Sequence, residues 1–150
     1  MHISFVDLQT MLVRRHQTFV EMYEISAQEL ALLEHGQKTD FDLELLTLQG
    51  KRQDLMSEVD GINDWIADTA ETEWTGAERA EIDGILRKTL TIAAGIAKND
   101  EAANQILERD FQELKRKLTD VENDRRARNA YGQGSVPNGT EEPFFFDRKR

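Results

Sequence analysis

A chain of 150 residues is long enough for one hydrophobic core and gives no reason to expect a second. Its 29 acidic against 19 basic residues leave a net charge of -10, which would repel a phosphate backbone and argues against nucleic acid as a partner. Cysteine is absent, which excludes disulfides and thiolate chemistry and fits a reducing compartment, while 32% charged residues and only two prolines favour helices over strands.

The opening Met1-His2-Ile3-Ser4 has no basic region ahead of an apolar run, and no stretch approaches the roughly 20 apolar residues of a membrane span. Neither a cleaved signal nor a membrane contact is expected, and the cytoplasm is the expected compartment. From Ile3 to about Gly36, apolar residues recur at Phe5, Leu8, Leu12, Phe19, Met22, Tyr23, Leu30 and Leu33, the spacing of one helical face. The stripe weakens near Arg15 and Ser26, so looser packing is expected there, and Gly36 supplies the left-handed position that ends many helices.

Asp40 can cap a second helix, whose stripe is Phe41, Leu45, Leu48, Leu55, Val59, Ile62 and Ile66 and which runs to about Ala67. Gly50 and Gly61 each cost that helix roughly 1 kcal/mol relative to Ala. The acidic, aperiodic segment from Asp68 to Gly76 is the connection, with Thr75 and Glu78 spaced as a capping box.

In the third segment, Leu86, Ala93, Asp100, Leu107, Leu114 and Val121 fall seven apart. Leu90, Ala97, Asn104, Phe111 and Leu118 form a second row four residues further on. Both rows hold phase across Asn99-Asp100, where a break would reset it, so one helix is expected from about Gly76 to Asn129, on the order of 80 Å long. Asp100, Asn104, Ala93, Gly95 and Ala97 make its middle the weakest part, and a split there would give four helices in place of three. The expected fold is an all-α antiparallel bundle over 1–131 with a flexible tail over 132–150, which holds both prolines and ends in Phe144-Phe145-Phe146-Asp147-Arg148-Lys149-Arg150.

Chemistry-bearing patterns are missing. His2, His16 and His35 have no acidic residue three positions before them, so the paired Glu-x-x-His of di-iron bundles does not occur, and each histidine is expected at the surface. No phosphate loop or nucleophile elbow is present, so neither a metal, a cofactor nor an enzyme is expected.

Binding is the remaining class of function. A third helix of about 50 residues outruns its two companions, which leaves part of an apolar face without a cover. The expected partner surface is Ile106, Leu107, Phe111, Leu114, Leu118 and Val121, with Phe41, Leu45 and Leu48 as neighbours, suited to an incoming amphipathic helix. The bland alternative is that these residues fill the core or a homodimer seam. Phe144, Phe145 and Phe146 are costly to leave in water and are expected to dock, either on a partner or as a plug over this chain's own groove.

Two patches carry a family resemblance. The first is Leu33-Glu34, then Asp40-Phe41-Asp42 opening a helix, then Lys51-Arg52-Gln53-Asp54-Leu55-Met56. The second is Asn129-Ala130-Tyr131 followed, after a Gly-rich stretch, by Phe145-Phe146-Asp147-Arg148-Lys149. In these the chain resembles the flagellar type III export chaperones of the FliT type, with the FlgN type as a close alternative. The resemblance implies a cytoplasmic helical bundle that holds the terminal segment of a filament-cap protein or a hook-filament junction protein. It further implies delivery of that client to the export apparatus, with the export ATPase or export gate as further partners. The competing expectation is a self-associating structural coiled coil with no export role.

Overall fold

In the computed structural model the described residues are 3–35, 41–68 and 73–135, and at 41, 42 and 133–135 only the helical backbone is described. They form three α-helices, α1 (Phe5–His35), α2 (Phe41–Ala67) and α3 (Gly76–Ser135), with no strand among them. Local chemistry sets two of the starts. Ser4 Oγ accepts the Asp7 amide at 3.1 Å and so caps α1, a role that apolar periodicity does not reveal. At α3 the expected capping box is formed: the Thr75 amide donates to Glu78 Oε1 at 2.9 Å and the Glu78 amide donates to Thr75 Oγ1 at 3.1 Å. The expected Asp40 cap and Gly36 stop lie outside the described residues.

The chain divides into two compact units, Met1–Leu107 and Glu108–Arg150. In the first, cross-helix pairs fix the directions of the three helices. Arg14 pairs with Glu58 and Arg15 with Asn63, while Glu29, further along α1, meets Arg52, earlier on α2. Arg14 and Arg15 of α1 meet Glu58 and Asn63 of α2, whereas Glu29, about four turns later, meets Arg52, so the two are antiparallel. Between α1 and α3, His16 meets Thr89 and Ser26 meets Asn99, both at a separation of 73 residues, so these helices run parallel. The bundle is up, down, up.

Ile3, Leu8 and Leu12 form one core cluster with Trp65 and Ile66 of α2, Trp74, and Ile82, Ile85 and Leu86 of α3. Met22, Val59 and Ile96 form another with Phe19, Leu55 and Ile92. Burying each leucine- or methionine-sized side chain contributes about 1.5–3 kcal/mol. The Trp74 ring also meets Phe5 edge to face, 6.1 Å between centroids, which anchors the entry to α3.

Two expectations are corrected, and one feature of α3 is new: the side that the other helices cover is not the row through Leu90, Ala97 and Asn104, which are exposed. An advance of four residues turns about 40° past Leu86, whereas an advance of three turns about 60° the other way, to Thr89. Thr89 is 7% exposed, and on its side lie Ile82, Ile85, Ile92 and Ile96, which α1 and α2 cover.

The middle of the bundle is not loose either. Ser26 is 1% exposed, donates to the Tyr23 carbonyl at 2.8 Å and accepts from Asn99 Nδ2 at 3.0 Å. One turn on, Arg52 of α2 donates to Glu29 of α1 at 2.9 Å and grips both carboxylate oxygens of Asp100 on α3. The hydrogen bond to Asp100 raises the Arg52 pKa above its ordinary value, burial opposes it, and Glu29 adds to the rise. The periodicity of apolar residues could not foresee this layer, because its stabilising groups are polar. Burial alone lowers the pKa of Arg15. His16 is the second correction: it is half-buried, with Nδ1 3.2 Å from Thr89 Oγ1.

α3 crosses Asn99-Asp100 as one helix and continues past the expected end at Asn129. It takes in residues 132–135, which the sequence assigned to the tail. In the second unit, every residue from Glu108 to Tyr131 is exposed. There the helix rests on propensity and on pairs four apart, Glu113 with Lys117 and Glu122 with Arg126, each with the acid first and worth a fraction of a kcal/mol.

Candidate partner-binding surfaces

Two apolar surfaces stand out, and they belong to different helices. The first is a groove between the end of α1 and the start of α2, about 590 Å³ in volume, lined by Gln28, Ala31, Leu32 and His35 on one side and by Leu43, Glu44, Thr47 and Leu48 on the other. Through the shared Gln28 and Leu48 it meets a second depression of about 390 Å³ that adds Ile25 and Leu55. The floor is aliphatic. Among the described lining residues, Glu21, Glu24, Glu44 and Asp54 surround it with negative charge against one lysine, Lys51.

The groove exists because both helices present leucines here that no other described residue covers. Leu43 is 73% exposed. Among the described residues, neither depression is lined by any part of α3. Of the three α2 residues expected at a partner surface, Leu48 lines the groove and Leu45 is half-buried outside its lining. The Phe41 side chain lies outside the described residues. Sequence reasoning missed Leu32 and Leu43. Leu43 falls off the row through Leu45 and Leu48, and its one signal is that it sits five residues before Leu48, beside the turn of Thr47.

The second surface lies on α3. Ile106 is half-buried and Leu107 is 45% exposed at the end of the first unit. In the second unit Phe111, Leu114, Leu118 and Val121 are 55–64% exposed. They are spaced three, four and three apart and so share one face. Acidic and basic side chains flank that face, among them Asp110, Lys115, Lys117 and Glu122, all exposed. The expected tail motif of Phe144, Phe145 and Phe146 lies outside the described residues.

Among the described residues no group of three or more His, Asp or Glu is placed to hold a metal ion, and no helix is long and apolar enough to cross a membrane. Comparison with known protein families, curated proteins and solved structures finds no match to this chain.

Proposed function

We propose that this chain is a non-catalytic, cytoplasmic export chaperone of the FliT or FlgN kind, which holds the amphipathic terminal helix of a filament-cap or junction subunit. The observation that carries the reading is the uncovered leucine-floored groove between α1 and α2. It lies where a fourth helix would complete the bundle, and a helix laid in it would cover Leu32, Leu43 and Leu48. Covering Leu43, which is 73% exposed, contributes about 1–2 kcal/mol, and the half-buried Leu32 and Leu48 add less each, so further contacts of the client helix must supply the rest of the affinity. The acidic rim favours a client helix whose polar face is basic, and it speeds encounter more than it tightens binding. The resemblance in Asp40-Phe41-Asp42 and Lys51-Arg52-Gln53 supports the assignment to export, and the surplus of acid agrees with it.

The test is co-expression with filament-cap and junction subunits, followed by affinity capture of the full chain. A stable complex is expected through a terminal helix of the client, and Leu48→Asp should abolish it while leaving helicity by circular dichroism unchanged. Failure of both classes of subunit to co-purify, or capture unaffected by Leu48→Asp, would overturn the reading.

A further inference from the structure

We propose that the exposed segment of α3 pairs with the same segment of a second copy of this chain, as a two-stranded coiled coil seamed by Phe111, Leu114, Leu118 and Val121. This goes beyond the client reading, because the client groove is built from α1 and α2.

The spacing of the four residues is that of a coiled-coil seam. Phe111 and Leu118 fall on the a positions of a heptad and Leu114 and Val121 on its d positions, an unbroken row on a helix whose other faces are polar. Without a cover, four large apolar side chains stay in water in every copy, and in the second unit no described residue covers them.

Charge then selects the occupant. With that register Glu108, Lys115 and Glu122 occupy e, while Asp110, Lys117 and Asp124 occupy g. Both flanks therefore read acid, base, acid, in matching bands one heptad apart. Such a surface is its own complement. In a parallel, in-register pair each g position faces the e position five residues on: Asp110 meets Lys115 of the other copy and Lys117 meets its Glu122. In an antiparallel pair shifted by one heptad, Lys115 meets Glu108 and Lys117 meets Asp110. In both of these alignments the lysines meet acids and symmetry doubles each contact, whereas the antiparallel pair that keeps all four seam residues opposite one another sets Lys115 against Lys115 and Lys117 against Lys117, so the parallel register is the one proposed. The lysine band is the single cationic stretch on these flanks, so a partner with uniformly acidic or uniformly basic flanks would face repulsion at some position. A second copy in parallel register meets none.

The competing contacts within the helix are weak. Lys117 is 3.6 Å from Glu113 with both side chains largely exposed, so it can turn to a partner at little cost.

Sedimentation equilibrium of the full chain at concentrations up to about 100 μM reads the mass directly. A dimer is expected. Lys115→Glu with Lys117→Glu makes both flanks acidic, and Glu108→Lys, Asp110→Lys, Glu122→Lys and Asp124→Lys together make them basic. Each variant alone should dimerise roughly tenfold or more weakly, and an equimolar mixture should restore a heterodimer. Circular dichroism checks that each stays helical, and client capture, read separately, should not change. A wild-type chain that stays monomeric would overturn the proposal. So would an all-acidic variant that dimerises as tightly as wild type, or a dimer that survives Leu114→Asp with Leu118→Asp at unchanged helicity.

Discussion

Replacing Arg52 by Met tests the polar layer that joins all three helices. The substitution keeps an unbranched apolar stem but leaves two carboxylates without their cation. They do not suffer equally. The Glu29 side chain is 9% exposed and water cannot take over its partner's role, whereas Asp100 is 39% exposed and can be solvated in place. Most of the loss therefore comes from Glu29, and the Asp100 arm is discounted for solvent screening. Breaking a buried pair costs 3–5 kcal/mol, and because Arg52 is itself 23% exposed the lower end applies, about 3 kcal/mol. For a bundle of this size that is a fall in Tm on the order of 10–20 °C. Replacing the whole layer, Glu29→Met with Arg52→Met and Asp100→Leu, removes the stranded charges and should return stability to within about 1 kcal/mol of the native chain. Urea melts followed at 222 nm measure both, with an unchanged slope showing that only stability moved. An Arg52→Met cost under about 1 kcal/mol would refute a buried pair at this layer, and a larger cost for Asp100→Asn than for Glu29→Gln would refute the dominant share of Glu29.

The glycines give contrasting expectations. A Cβ at Gly50 or Gly61 would meet nothing within 4 Å, so Gly50→Ala and Gly61→Ala should each raise stability by up to about 1 kcal/mol in a denaturant titration. At Gly95 the added carbon would lie 2.8 Å from Tyr23 Cε1 and 3.1 Å from Cδ1, so the ring must give way. Overpacking of about 1–3 kcal/mol there cancels or exceeds the propensity gain, and a stabilisation equal to that of Gly61→Ala would disprove the close approach of α1 to α3. Thr75→Ala removes one half of the capping box and should cost about 1 kcal/mol, read as a lower urea midpoint. Phe111→Asp, on a fully solvated face, should change the stability of a monomer by less than about 0.5 kcal/mol; a larger loss, measured in dilute solution, would place that side chain in a core.

The helices, their connection at Thr75 and the continuity of α3 were legible because long amphipathic stretches and a capping box are local signals. What escaped the sequence is tertiary. Periodicity weighs apolar residues, so it favoured Leu90 over Thr89, although Thr89 sits on the side of α3 that the other helices cover. For the same reason the stripe was expected to loosen near Ser26, although Ser26 is buried and Glu29 and Arg52 pair one turn on. A usable signal was there: Met22, Ile25, Ser26 and Glu29 keep the three-and-four spacing, so polar residues at core positions asked for partners. The solvated stripe on α3 followed from comparing helix lengths. The groove did not, because it depends on which flank of α1 and α2 is left without a neighbour.

The contact between Arg52 and Asp100 also bears on how α3 is indexed against its companions. A helix with a seven-residue repeat can slide by two turns and still present aliphatic side chains to its neighbours. Sliding α3 by that distance would bring Leu107 or Ala93 to the place of Asp100, and Ile106 or Ile92 to that of Asn99. Greasy contacts would survive, but Arg52 and Glu29 would lose their third member and Ser26 its donor. The layer thus acts as a detent. An all-apolar replacement should melt at nearly the native temperature yet populate more than one alignment, visible as doubled amide resonances along α3.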